Sequence, residues 1–470
     1  MPSFHKSEFI STVAHGRELF SPYHNEGPSV AVLDLDNDGY LEVLQCFDFE
    51  TMWVYGHDTS YTLDIPCGAM AVVDINKDGW EDLISEKSNS ASNRGNELIV
   101  WENQQGTLIK RSSVALYRDQ VHAIRIADFN TDGFQDIFAV VLGTNPVQTD
   151  WNRVFYGTDS WEFQPADYPV HSAGKSFDAG IGDYNNDGLM DVVVANDRGS
   201  QFGGNELLWN NDGMLTVDSD CNCVPTQSAM GMDVADVNHD GILDIVTGDV
   251  VRLYLLEGTG DGFVDITLRS NANQMDAIEM AWGIRLIDIE NDGDVDIFSA
   301  QGDHTYPDII NPEYEGDLPL SILLQDDGIF QEKPNNSVFD QMGSFRSVVP
   351  LHWNADGVLD YWITDVEKPP TLWISDTCTT GNWLYFTGEI GTAIRLTIQQ
   401  PDTQEPATTE VWYGELQNSS SYGASIQANW HVGLGNKVVT QIHIRFPHFP
   451  NENWQLWSDN PPLNEYVYIE

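Results

Sequence analysis

Short, β-branched apolar runs recur along this chain, and each is entered through a polar, acidic loop. DIFAVVL (136–142), DVVVAN (191–196) and DIVTG (244–248) are short, β-branched and apolar, the pattern of buried strands. Each run is followed by a second kind of element, such as 96–109, 205–217, 252–266 or 321–333. There, two apolar stretches flank Asn-Asp, Gly-Asp or Asp-Gly, which signals a hairpin. One repeat therefore predicts four strands: one entering the polar loop, one leaving it, and an outer hairpin. Residues 4–20 read as a lone strand region, expected to supply the strand missing from the last repeat and to close the array.

The polar loop is the repeat's signature. Its copies begin at Asp34, Asp74, Asp128, Asp183, Asp236 and Asp288, with an eroded seventh at His352. Successive starts lie 40, 54, 55, 53, 52 and 64 residues apart, a period typical of propellers and other arrays. Four antiparallel strands repeated seven times predict an all-β fold, a seven-bladed β-propeller over residues 1–380.

Within the loop, oxygen-bearing side chains fall at positions 1, 3, 5 and 9, with glycine at position 6. Calcium takes six to eight oxygen ligands, and this spacing supplies them from alternate residues around a sharp turn. The candidate ligands are Asp34, Asp36, Asp38 and Glu42; Asp74, Asn76, Asp78 and Asp82; Asp128, Asn130, Asp132 and Asp136; Asp183, Asn185, Asp187 and Asp191; Asp236, Asn238, Asp240 and Asp244; and Asp288, Glu290, Asp292 and Asp296. An EF-hand is excluded, since position 12 is Gln45, Ser85 or Ala139 in the first three copies, where that motif needs a bidentate Glu. Magnesium fits less well, because it demands near-ideal octahedral geometry. About six Ca²⁺ sites are expected. His352 replaces the first carboxylate of the seventh copy, and imidazole suits calcium poorly, so that site is expected to be empty or weak.

The net charge is −52, from 73 acidic and 21 basic side chains, far more than six Ca²⁺, about +12, would offset. Such a chain repels nucleic acid and anionic membrane, which need a positive footprint. It suits cationic partners or a saline milieu. Cys46, Cys67, Cys221, Cys223 and Cys378 have no zinc spacing and read mostly as buried thiols. No apolar stretch reaches the length of a membrane span, and the first thirty residues lack the apolar core of a signal peptide.

From about Asn382 the pattern changes to a β-rich tail without metal loops. Alternation in AIRLTIQ and IHIRF predicts a small sandwich or barrel over 381–470, packed on or beside the propeller. The tail resembles the ASPIC/UnbV domain that closes cartilage acidic protein and its bacterial relatives, through GNWLYF (381–386), IGTAIRL (390–396), SSYGASIQANWHVGLGN (420–436) and IHIRFP (442–447). The repeats resemble FG-GAP or VCBS blades. AQGDHTYP (300–307) and Phe345-Arg346-Ser347 resemble further family elements, with Ser347 in place of a glycine and Asp303 inserted before His304. The resemblance implies a calcium-stabilised propeller with a C-terminal β domain, in a family that spans adhesion-type proteins and products of biosynthetic clusters. It implies no single activity.

Long polar segments after the second strands, at 86–95, 143–153, 196–204 and 302–317, would lie on the face opposite the metal loops, where binding usually resides. Lys87, Arg198, Asp303, His304 and Tyr306 are the candidate ligand-binding residues there, and His304, Tyr306 and Arg346 are the candidates for acid/base work. Lys175, Asp178, Asp233 and Arg285 are expected to line the central channel as ion pairs. Most tryptophans, including Trp151, Trp161, Trp209 and Trp282, are expected in blade cores.

The functional expectation is a binding or adhesion module for protein or glycan with structural calcium. The alternative is a calcium-dependent biosynthetic enzyme, a cyclase or group-transfer catalyst acting on a small-molecule substrate. No nucleic-acid partner and no membrane insertion are expected. A removed signal peptide would place the protein outside the cell, where calcium is plentiful; a native start at Met1 would place it in the cytoplasm.

Overall fold

The computed structural model describes residues 4–6, 29–46, 51–57, 59–89, 93–116, 121–141, 152–168, 170, 175–197, 204–218, 228–249, 252–273, 280–302, 317–333, 341–366, 368–375, 381–400, 409–419, 421–449 and 454–469. Among them every regular element is a β-strand. Val30–Leu33, Glu42–Cys46, Met52–Tyr55 and Ser60–Leu63 form the first antiparallel unit, each strand paired to the next. The same four-stranded plan recurs, with first strands at Met70–Val73, Val121–Ala127, Lys175–Gly182, Met232–Ala235 and Ala281–Ile287. In the last unit Phe345–Leu351, Asp360–Asp365 and Thr371–Ser375 are joined by Phe4–Lys6, with Phe4 opposite Ser375 and Lys6 opposite Trp373. The closing strand thus sits at the front of the expected region 4–20; residues 7–20 lie outside the described residues.

Burial explains the two kinds of sequence run. Val121–Ala127 and Asp136–Val141 are buried throughout, whereas the outer strand Leu108–Ala115 is largely solvent-facing. First and second strands are covered on both faces by neighbouring units, so they read as continuous apolar runs rather than alternation. Aromatic residues fill the gaps: Phe298 packs 5.1 Å from Tyr361 and 6.5 Å from Trp373, ring to ring. The first unit meets the last through Tyr55 and Trp362, 5.0 Å apart, and Trp362 Nε1 donates to Gln45 Oε1 at 2.8 Å.

Cys46 and Cys67 form a disulfide, with Cα atoms 5.7 Å apart, which corrects the expectation of buried thiols for this pair. One cysteine ends the second strand of the first unit and the other precedes the first strand of the second unit. Their proximity is a product of the packing between units, which spacing along the chain does not encode.

The tail forms two sheets around a shared core. Asn382–Gly388, Ala424–Gly435 and Glu465–Ile469 make one, and Ala393–Gln399, Thr409–Glu415, Val438–Arg445 and Gln455–Asp459 the other, with Leu384, Leu396, Trp412, Val432, Leu434 and Ile442 buried between them. The tail does not sit beside the repeats. Val30–Val32 pairs in parallel with Ala424–Ile426, so tail and first unit share one eight-stranded sheet. Around this junction, residues 417–419 and 421–425 run between the first strands of the units. Val72 N donates to Ser425 Oγ at 3.1 Å, Gln417 Nε2 to Ile181 O at 2.8 Å, Arg285 Nη1 to Ser419 O at 3.1 Å, and Val348 N to Ser421 Oγ at 3.2 Å. Gly283 permits this approach: a Cβ there would lie 2.4 Å from Arg346 O and 2.5 Å from Ser421 Oγ.

Candidate functional site

Each copy of the polar loop joins the first and second strands of its unit, as the sequence predicts. In the six copies that begin with Asp, the first carboxylate accepts the N–H groups of positions 5 and 6; in the first copy Asp38 N reaches Asp34 Oδ1 at 3.0 Å and Gly39 N reaches Asp34 Oδ2 at 2.8 Å. The turn needs two left-handed residues, not one. Glycine at position 6 has φ between 85° and 101° in all seven copies, and position 4 is also left-handed, at Asn37, Lys77, Thr131, Asn186, His239, Asn291 and Ala355. A β-branched residue such as Thr131 at φ 55° is strained, and such strain concentrates where a loop is shaped for a purpose.

Position 9 has a structural role of its own. Asp136 Oδ2 accepts Phe129 N at 2.9 Å, while its Oδ1 accepts Gly157 N, on the third strand, at 2.8 Å. Asp82, Asp191, Asp244, Asp296 and Asp360 repeat this, pairing with Asn103, Asn210, Gly258, Gln325 and Ser375. The carboxylate ties the start of the loop to the third strand. Sequence reasoning missed this second role, although its persistence in the eroded seventh copy was a signal.

The first loop carries Glu42 at position 9 and brings oxygen atoms of Asp34, Asp36 and Glu42 within 4.8 Å of one another. Burial, reinforced by the neighbouring carboxylates, raises Glu42 to about 7. The same cause raises Asp82, Asp136, Asp191 and Asp244 to about 8. In the second to fifth loops the position-3 amide donates to the position-5 carboxylate, as Asn76 does to Asp78 at 2.8 Å. Crowded, part-buried carboxylates and amide oxygens of this kind fit a hard divalent cation, although in the fourth loop Arg445 already faces Asp183.

The tail covers the loop face and reaches every copy. Gln427 Oε1 accepts Asp34 N at 3.4 Å, Glu389 pairs with Lys77 at 2.8 Å, and Ile390 O accepts Gln135 Nε2 at 3.4 Å. Arg445 binds Asp183 at 2.6 Å, Trp412 stacks on His239 at 4.2 Å, and Gly435 N donates to Asn291 O at 2.9 Å. In the seventh copy His352 is buried, its Nε2 3.2 Å from His431 Nδ1, and His431 Nε2 lies 2.6 Å from Asn291 Oδ1. The histidine at position 1 of the seventh copy is thus built into the contact with the tail.

Of the other candidates, Lys87 pairs with Glu97 at 3.0 Å. Arg346 is fully buried, its guanidinium 4.3 Å from the Trp282 ring and donating to Ser344 Oγ and Phe345 O. The side chain packs inside the last units. Arg198, Asp303, His304, Tyr306 and Trp151 lie outside the described residues. Asp233 forms an ion pair with Arg285 at 2.8 Å, and Asp178 with Arg125. Lys175 begins its strand, half-buried. Trp282 is buried; Trp209 is partly buried and donates to Asp218 Oδ2 at 3.0 Å.

Strand–loop–strand repeats in four-stranded sheets define a propeller-type repeat protein. Residues 74–139 and 183–247 match the FG-GAP-like repeat, each match spanning two consecutive loops. No curated protein matches the chain. Similar solved structures include an Agrocybe aegerita lectin described by its recognition of non-reducing terminal N-acetylglucosamine, 16% identical, with 73% of this chain and 86% of that one covered and a TM-score of 0.42. BBS1N in its complex with ARL6DN is 7% identical over 75% of this chain and 94% of that one, with a TM-score of 0.48. A Lactobacillus plantarum protein is 13% identical over 65% and 82%, with a TM-score of 0.43. At these values the likenesses carry no inference about ligand or partner. Among the described residues no helix is long and apolar enough to cross a membrane.

Proposed function

We propose that this chain is a calcium-stabilised, seven-bladed β-propeller that acts as a binding module, taking protein or glycan partners on the face opposite its metal loops. The observation that carries the reading is the tail's contact with every loop copy. Calcium in those loops would order the ring and the tail that rests on it, and partners would meet the other rim. Asp34, Asp36 and Glu42 are the best-assembled ligand set. Calcium would supply positive charge there, and the chain's own part is to hold the oxygens in place. The Cys46–Cys67 disulfide supports an oxidising, extracytoplasmic location, where calcium is abundant enough to fill modest sites.

The test is metal analysis with a partner screen. About six equivalents of calcium, and a glycan or protein ligand lost when residues 143–151 and 303–316 are replaced by short Gly-Ser linkers, are expected. Identical melting with calcium and with EDTA would refute the metal claim, and undiminished binding by the linker variant would refute the choice of face.

A further inference from the structure

The eighth position of the loop is apolar in five of the seven copies: Leu41, Met190, Leu243, Val295 and Leu359. Four of these are buried and Val295 packs against the core. The second and third copies break the rule with Glu81 and Gln135. Both residues border one partly open cavity of about 560 Å³ between the loops of the first units and the tail, which Asp34, Asp74 and Asp78 also line. Two departures from an internal repeat, in adjacent copies and on the wall of the same cavity, call for a common cause.

Polar groups at a buried position are costly unless satisfied. Gln135 is only 6% exposed. Its Nε2 donates to Ile390 O at 3.4 Å, and its Oε1 accepts no hydrogen bond from the described residues. Lys77, the basic residue on the cavity wall, is engaged by Glu389, and among the described residues no cation pairs with Glu81. Ile390, Ala428 and Phe446 supply apolar wall. A complementary ligand therefore donates N–H bonds, carries positive charge and has a hydrocarbon stem. The volume is that of an ordinary small-molecule pocket.

We propose that this cavity binds a primary alkylammonium group, of a free amine or of a partner's lysine side chain, with Glu81 as counterion and Gln135 Oε1 as second acceptor. The site lies on the loop side of the molecule, so it goes beyond the function proposed for the opposite face.

Calorimetric titration of the whole chain in saturating calcium, with 1,5-diaminopentane, with Nα-acetyl-lysine amide and with glucose as uncharged control, tests this. Binding of at least one amine near one equivalent is expected, with none of glucose; the amine that binds tells free amine from lysine. Glu81→Leu and Gln135→Met install residue types that other copies carry, so both should fold and melt no lower than the parent. E81L should weaken amine binding by about tenfold or more, the loss of a charge-assisted contact. Should E81L fail to fold, E81Q is read the same way. No heat with either amine, heat that disappears once calcium is saturating, or unchanged affinity in the Glu81 variant would each overturn the proposal.

Discussion

Arg445 of the tail donates from Nη2 to Asp183 Oδ2 at 2.6 Å, and Asp183 is the first carboxylate of the fourth acidic loop. The same oxygen accepts Gly188 N at 2.8 Å, and Glu415 accepts the Asp183 backbone N–H at 3.3 Å. Burial raises the Asp183 carboxyl, and Arg445 opposes that shift. Asp183 is fully buried and Arg445 nearly so. Removing one member of such a pair strands the other charge, at a cost of about 3–5 kcal/mol. Arg445→Met should therefore lower stability in urea by about 3 kcal/mol. A loss under about 0.5 kcal/mol, the range of an exposed pair, would show that the contact does not anchor the tail.

The metal role and the stapling role of these loops can be separated. Asp128→Ala with Asp132→Ala removes two proposed ligands of the third loop together with their bonds to the loop N–H groups, and should reduce bound calcium by about one equivalent and lower the melting temperature more in calcium than in EDTA. Asp360 belongs to the seventh copy, where His352 stands at position 1, yet it accepts Trp353 N at 3.1 Å and Ser375 N at 2.8 Å. Asp360→Ala leaves buried donors unsatisfied, a cost of about 1–3 kcal/mol each. Its destabilisation should be equal in calcium and in EDTA. Calcium-dependent loss in this variant would mean that the seventh loop also holds metal.

The disulfide yields a third expectation. Cys46 and Cys67 are 21 residues apart in sequence, and closing a loop of that size stabilises by about 3 kcal/mol in the chain-entropy treatment. Cys67→Ser should cost roughly that much in denaturant melts, and reduction of the parent should match it. Equal stability of oxidised and reduced protein would show that the link between the first two units is redundant.

What could be read without coordinates was whatever repeats locally. The nine-residue loops, the strands on either side and the position-6 glycines are set by alternation and turn chemistry within a few residues, and all fall where the pattern put them. Asp178 and Asp233 were legible as members of ion pairs, but Arg125, the partner of Asp178, was not, because pairing between units leaves no mark on spacing. The parallel pairing of Val30–Val32 with Ala424–Ile426 joins segments almost four hundred residues apart, and neither strand advertises the other. The contacts of the tail with every loop were hidden for the same reason. Glu81 and Gln135 were visible as polar residues at an apolar repeat position, but their shared cavity needed the tail in place.

The His352–His431 contact makes the molecule's response to acid specific. Burial lowers both residues, His431 to about 3 and His352 well below its ordinary range, with His431 adding to the shift in His352. Unfolded histidine titrates near 6.5, so below that pH the unfolded chain binds protons that the folded chain refuses. The stability conferred by the neutral pair is present above about pH 6.5 and is lost as pH falls from there toward 3. Each histidine would contribute a loss of about 2–3 kcal/mol by pH 4.5 if fully shielded, and less for the partly exposed His431. His431→Gln removes one of these titrations and should lose less stability than the parent between pH 6.5 and 4.5, so the two urea-midpoint curves should converge or cross on acidification. Parallel curves across that window would mean that His431 is protonated as readily in the folded protein as in the unfolded chain, and that the tail is not held to the seventh loop by a neutral histidine pair.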